Sequence, residues 1–250
     1  MNAYRINRLF HPDSGRCLAI AVDHGMPGEA DLLEGIEDME AVIDALVAAD
    51  PEALLLTPGQ ADLLQRRVGR AKPALVLRVD TGNVFGREVP DRPASWMYDD
   101  PVGIAVRLDA ACVIANLQDS PGQPSLRETC VQNILRLRGE CNRADMPLMV
   151  EPVPMAPNTA GYDVHRDAER LRGLVRQGPS WAPTSSSATR CPTRPTSPAS
   201  CAPRACPCSS AAAGASPTTR SCASRPTSSR RAPPASSTGA TSSSTTTRRR

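Results

Sequence analysis

The chain has 250 residues and a formal net charge of +3, but composition and charge divide it near residue 180. Residues 1–180 hold all 26 Asp and Glu against 19 Lys and Arg, whereas residues 181–250 hold ten Arg and no acidic residue. The second part also contains no Leu, Ile, Val, Met or Phe, so it cannot bury enough apolar surface to offset the entropy lost on ordering. We therefore predict a folded domain over residues 1–177 and a disordered Ser/Thr/Pro/Arg-rich tail over 178–250.

The sequence also argues against membrane and secretory classes. It has no run of 18 apolar residues that could span a bilayer, and its first residues contain no apolar signal-peptide core. Cys17, Cys112, Cys130 and Cys141 fall within apolar runs or helical patterns. We expect these cysteines to be buried, reduced thiols of a cytoplasmic protein, not a disulfide framework.

Residues 1–177 alternate between two hydrophobic periodicities. Apolar runs of strand length lie at 17–22, 53–56, 74–77 (followed by Val79), 110–115 and 148–150. Helical patterns follow them at 32–46, 59–68, 101–109, 124–141 and 164–177. A loop of about twenty residues separates the third strand from its helix, which Pro101 is expected to begin. Strands that are apolar on both faces and alternate with helices predict an α/β fold with a buried parallel sheet.

A polar residue ends each predicted strand: Asp23, Thr57, Asp80, Asn116 and Glu151. In a (β/α)8 TIM barrel these carboxyl ends all converge on one active-site opening. In an open doubly wound sheet, only the ends near the switch point would do so. The pattern favours an incomplete TIM barrel of about five βα units, with the doubly wound sheet as the alternative.

The tail has a simple genetic explanation. Its amino acids all have codons with C or G in the middle position, which is what a GC-rich gene yields when it is read one base late. The 18 Arg against one Lys in residues 1–180 agree with a GC-rich gene. Restoring the frame turns residues 180–189 into LGADVVKCD, 205–214 into VPVLVRGGG and 237–248 into YGRNVIQHDDP. We predict a frameshift near residue 178; the alternative is a genuine low-complexity basic tail.

Residues 18–25 (LAIAVDHG) and 147–152 (PLMVEP) carry a family resemblance. Over about residues 15–177 the chain resembles the class I aldolases that include archaeal-type fructose-bisphosphate aldolase and its bacterial relatives, which are Schiff-base (β/α)8 enzymes. The restored GADVVKCD is similar to the strand that bears the imine lysine. The restored VRGGG and YGRN are similar to the phosphate-binding ends of the last two strands.

The resemblance implies a lyase that cleaves a phosphorylated sugar or ketone through a lysine imine and needs no cofactor or metal. It implies that Asp23 relays protons and that His24 is catalytic or contacts the substrate. The expected substrate-binding residues are Arg78, Asp80, Asn116 and Glu151. The position of the family's proton-donating Tyr is occupied here by Val153, and the resemblance leaves a homo-oligomer open.

Lys72 is the only lysine in the chain. It precedes the third predicted strand, at the end opposite the expected active site, so we interpret it as a solvated loop residue and not as the imine former. We therefore expect the chain as written to be inactive. A zinc aldolase is not favoured, because His11, His24 and His165 lack ligand spacing.

Two other functions fit parts of the sequence. One is a transaldolase-like or thiolase-like member of the same superfamily. The other is a basic-tailed nucleic-acid-binding protein, since ten Arg without acidic residues would attract nucleic acid in a salt-sensitive, non-specific way. The tail has no aromatic residue beyond Trp181 on which bases could stack. We expect a small phosphorylated partner and neither a membrane nor a specific nucleic-acid partner.

Overall fold

The computed structural model describes residues 3–25, 33–84, 91–157, 162–165, 167–181, 185–186 and 208–212, all within the compact unit Met1–Ala215. The helices are α1 (Ala3–Asn7), α2 (Met39–Ala49), α3 (Pro58–Gln65), α4 (Pro101–Arg107), α5 (Pro124–Ala144) and α6 (Ala168–Trp181). The strands are β1 (Cys17–Ala21), β2 (Ala53–Leu56), β3 (Ala74–Arg78), β4 (Asp80–Gly82), β5 (Ser95–Met97), β6 (Cys112–Asp119), β7 (Leu148–Pro157), β8 (Tyr162–Val164), β9 (Ser185–Ser186) and β10 (Cys208–Ala212).

The main sheet is the curved half of a barrel. Strands β1, β2, β3, β6 and β7 pair in parallel and lie side by side in chain order. A doubly wound sheet would reverse its strand order at a switch point, and this path has no reversal. The predicted incomplete TIM barrel of five βα units is therefore confirmed.

Two apolar layers hold the sheet. The larger one fills the space between the sheet and the helices and includes Ile43, Leu64 and Ile134. The smaller one lies on the other face of the strands, and Leu9, which follows α1, is buried against it. Side chains of a strand alternate between its two faces, so the outward residues pack on the helices and the inward ones line the half-barrel.

The predicted helix over 32–46 begins later than its apolar stripe indicates. Gly35 adopts φ +83°, which interrupts any helix running through it. The Asp38 carboxylate then accepts hydrogen bonds from the N–H groups of Glu40 and Ala41, so α2 starts at Met39. Helix α4 does begin at Pro101, as predicted.

The structure adds two strand features that the apolar runs do not predict. The long loop after β3 contains the antiparallel pair β4–β5. Strand β7 extends beyond the predicted run 148–150, through Pro152 and Pro154 to Pro157. Proline lacks an N–H and is tolerated where that donor would face away from the neighbouring strand.

The tail is not wholly without secondary structure in its described part. Ser185–Ser186 pairs in parallel with β7, and Cys208–Ala212 pairs in parallel with β1. The expectation of a structureless tail is therefore wrong for these segments. A parallel ladder uses backbone groups alone, so an open sheet edge can accept a Ser/Ala segment. The rest of the chain beyond residue 181 lies outside the described residues.

The four cysteines of the front part are buried, as predicted. Among the helices within the described ranges, none is long and apolar enough to cross a bilayer.

Candidate active site

Period-two alternation places the candidate residues on the inward face of the half-barrel. Arg78 follows the inward Ala74 and Val76 of β3, and Asn116 follows the inward Cys112 and Ile114 of β6. Glu151 lies two positions after the inward Met149 on β7, and it is the register partner of Asn116 on β6. Each strand therefore changes from apolar to polar inward residues toward its carboxyl end.

Arg78 is the centre of a buried ionic cluster. Its Nε donates to Asp23 Oδ2 at 2.8 Å, and its Nη2 donates to Glu151 Oε2. Its Nη1 lies 3.5 Å from Asp80 Oδ1. Only 5% of the Arg78 side chain is exposed. Arg78 therefore points inward and pairs with carboxylates, and the structure brings Asp23, Arg78, Asp80, Asn116 and Glu151 together.

The cluster has more negative than positive groups. Burial alone would lower the pKa of Arg78, but the adjacent charges of Asp23, Glu151 and Asp80 raise it well above its usual value. Arg78 is thus a fixed cation, which leaves three carboxyl groups facing one guanidinium. The excess negative charge of the cluster favours binding of a second cation or protonation of one carboxyl group.

Asp80 is the most deeply buried carboxyl group of the cluster. Burial raises its pKa, against the opposing effect of Arg78 and of the Asn116 N–H that donates to its Oδ2 at 2.8 Å. Its other oxygen, Oδ1, has no hydrogen-bond partner. Asp80 is therefore the member of the cluster best suited to hold a proton.

His24 lies beside the cluster in a separate pocket of about 440 Å³. Its Nδ1 is buried and has no hydrogen-bond partner. The chain turns away directly after it, because Gly25 adopts φ +85° and a Cβ at that position would lie 2.7 Å from Leu33 Cδ2. The Asp23-His24-Gly25 sequence thus sends one side chain to the ionic cluster and the next to the pocket.

Sequence reasoning missed Tyr98, which lines the same pocket. It follows β5, and its backbone N–H donates to Val79 O at 3.0 Å, which holds it against the end of β3. Burial, with a smaller contribution from the charge of Asp80, raises the pKa of its phenol. An antiparallel strand of three residues has no hydrophobic periodicity, so no sequence signal placed Tyr98 here.

Tyr162 and Lys72 both make hydrogen bonds away from the ionic cluster. The Tyr162 hydroxyl donates to Pro121 O at 2.8 Å. Lys72 is not a freely solvated loop residue, because its Nζ donates to the carbonyl oxygens of Gln65 and Arg67 at 2.9 and 3.2 Å and so caps the end of α3. It lies before β3 and therefore at the opposite end of that strand from Asp80.

Two of the buried cysteines, Cys130 and Cys141, are not suited to nucleophilic chemistry. Burial raises the pKa of Cys130 to about 11 and that of Cys141 to about 12. Both thiols are therefore protonated at neutral pH, when the thiolate is the reactive form.

A curved parallel sheet with its ionisable residues at the carboxyl ends of the strands is the arrangement of the TIM-barrel class of proteins. The sequence profile of the DeoC/LacD family aldolases matches residues 17–175. The chain belongs to this aldolase family.

Individual relatives agree with this assignment. The chain is 29% identical over 151 residues to an uncharacterised aldolase of Saccharolobus solfataricus, covering 60% of this chain and 54% of the relative. It is 29% identical over 167 residues to the 3-hydroxy-5-phosphonooxypentane-2,4-dione thiolase of Klebsiella pneumoniae subsp. pneumoniae, covering 66% and 50%. The chain thus spans about half the length of these relatives.

A solved structure shares the fold. A Schiff-base-forming fructose-1,6-bisphosphate aldolase superimposes with a TM-score of 0.57 at 19% identity, over 75% of this chain and 70% of that one.

Proposed function

We propose that the chain derives from a cytoplasmic class I aldolase-type lyase that acts on a phosphorylated sugar or ketone through a lysine imine. The imine converts the substrate carbonyl into an electron sink, which allows a carbon–carbon bond to break. The proposal is supported by membership of the aldolase family and by the ionic cluster at the carboxyl ends of the strands. The burial of the four front-part cysteines fits a reducing compartment.

The roles follow from the contacts. Asp23 relays protons, and its carboxylate is held by Arg78 at 2.8 Å. His24 contacts the substrate in the adjoining pocket. Because Arg78 is engaged by carboxylates, it acts as a positioning residue. Asp80, Asn116 and Glu151 line the substrate side of the cluster.

The observation that carries the proposal is the register of β9 on β7. Ser185 pairs with Met149 and Ser186 pairs with Val150. In the restored frame, the lysine of LGADVVKCD is encoded across the codons of Ser186 and Ser187. A strand in this register would place that lysine beside Val150 and Glu151, where its ammonium would offset the excess carboxylate charge.

From this we further propose that the coding frame changes near residue 178 and that the 250-residue chain does not catalyse aldol cleavage. Its only lysine is Lys72, which caps α3. Loss of the covalent nucleophile removes most of the rate enhancement, since the other groups act together with it.

Borohydride trapping tests this proposal. Resequencing is expected to show that one base near codon 178 restores the frame. The frame-restored protein should then form a reduced adduct with dihydroxyacetone phosphate, mapped by mass spectrometry to the restored lysine, and the 250-residue chain should not. An adduct on Lys72 with turnover would contradict both the residue roles and the frameshift.

The thiolase relative supports a second candidate, acyl transfer to a thiol acceptor from a phosphorylated diketone. Assay of the frame-restored protein with and without coenzyme A distinguishes the two. Acceptor-dependent cleavage supports the thiolase-like function, and acceptor-independent cleavage supports the lyase.

A further inference from the structure

The pocket beside the ionic cluster combines an apolar wall with a few polar groups. Leu33, Ile36 and Met39 supply the apolar part, and His24 and Tyr98 supply polar groups from the ends of β1 and β5. Pockets of this kind bind small organic molecules, with the polar groups fixing the ligand's orientation. At about 440 Å³ the pocket is large enough for part of a sugar.

Tyr98 is equipped to donate a hydrogen bond in this pocket. Its raised pKa keeps the phenol protonated at neutral pH. Its position is fixed by the bond from its backbone N–H to Val79 O. His24 lines the same pocket, and its buried Nδ1 has no hydrogen-bond partner.

The pocket is poorly suited to a phosphate group. Its lining, in the described part of the chain, contains Glu37 and neither Lys nor Arg. The start of α3 offers little, because Pro58 has no N–H and the N–H groups of Gln60 and Ala61 both bond to Thr57 O. The neighbouring cluster also has an excess of carboxylates, and its field repels an anion.

We propose that this pocket receives the uncharged, hydroxylated end of a sugar substrate, with Tyr98 donating a hydrogen bond to a substrate hydroxyl. The proposal rests on the proposed function and adds to it a preference for singly over doubly phosphorylated substrates. The phosphate of such a substrate binds elsewhere.

Ligand-observed NMR on the 250-residue chain tests the pocket without catalysis. Saturation transfer should detect erythritol, with erythritol 4-phosphate at least tenfold weaker at equal ionic strength. Tyr98→Phe should weaken erythritol binding about fivefold, the effect of one net hydrogen bond. Tyr4→Phe is the matched control, because Tyr4 is 81% exposed on α1, and it should change nothing. Absence of erythritol binding, or an unchanged Tyr98→Phe, overturns the proposal.

A charge reversal tests, independently of Tyr98, whether negative charge near the pocket repels a phosphate group. Glu37→Arg should strengthen binding of erythritol 4-phosphate, whereas Asp13→Arg, an equal charge change in the exposed turn before β1, should not. Equal binding of the two ligands by the unmodified chain, or equal effects of the two variants, overturns the preference for an uncharged group.

Turnover by the frame-restored protein separates this inference from the proposed function. Higher kcat/KM for fructose 1-phosphate than for fructose 1,6-bisphosphate supports the inference, and the reverse order overturns it. Failure to trap an imine overturns the proposed function, while the erythritol measurements still decide whether the pocket binds as inferred.

Discussion

The two ends of the half-barrel use charge in different ways. At the amino ends, Arg8 pairs with Asp109 at 3.0 Å where Asp109 is 70% exposed, and Arg5 donates to Ala110 O at 2.8 Å. At the carboxyl ends, Arg78 is buried among three carboxylates. Exposed pairs contribute little stability and cost little to keep. Buried ions are costly to desolvate, so their presence at one end marks that end as the functional one.

Replacing the central cation should separate the two ends most clearly. Arg78→Met leaves Asp23, Asp80 and Glu151 buried without their partner, so we expect a loss of about 3–5 kcal/mol in the free energy of unfolding. Arg8→Met at the amino end should cost at most about 1 kcal/mol. Urea denaturation at pH 7 measures both. Comparable losses for the two variants would contradict the contrast between the ends.

Truncating Leu9, which is buried against the inward faces of the strands, should also lower the free energy of unfolding strongly. Leu9 is 2% exposed beneath the inward faces of the strands, so Leu9→Ala should cost about 3 kcal/mol through lost burial and a cavity. Leu18→Ala is the control, since Leu18 is 46% exposed, and it should cost well under half as much. Thermal and urea unfolding provide the measurement; a small effect at Leu9 would show that its burial against the inward faces of the strands contributes little stability.

Removing the cap of α3 should have a smaller effect. Lys72→Met deletes the bonds from Nζ to the carbonyl oxygens of Gln65 and Arg67 and should lower the free energy of unfolding by about 1 kcal/mol. Hydrogen exchange of the last amides of α3 should rise in parallel. Unchanged exchange there would show that the lysine does not stabilise the helix end.

The smallest effect concerns the pH dependence of stability. Burial raises the folded-state pKa of Asp80, so its stabilising contribution is complete below its unfolded pKa of about 3.9. That contribution is lost as pH rises through the folded pKa. Asp80→Asn cannot ionise, so its stability relative to the unmodified chain should increase from pH 4 to pH 7. A relative stability that falls over this range would contradict the assignment.

The sequence predicted the five parallel strands and their polar ends because both depend on simple alternation. Arg78 and Glu151 were expected near the active site because each lies at the carboxyl end of a predicted strand, but their ion pair was not predicted. Tyr98 could not be placed, since its position depends on the β4–β5 pair and on one backbone bond to Val79. Strand β10 was missed for a related reason: its pairing uses backbone groups, to which side-chain composition gives no guide.

The cap on α3 also makes this protein a convenient reporter of its own local opening. Lys72 is the one side-chain amine in the chain, and its hydrogen bonds to backbone carbonyls protect it from acylating reagents while α3 is intact. The rate at which a succinimidyl ester modifies this single position therefore measures how often the end of that helix unravels. No competing lysine signal has to be subtracted.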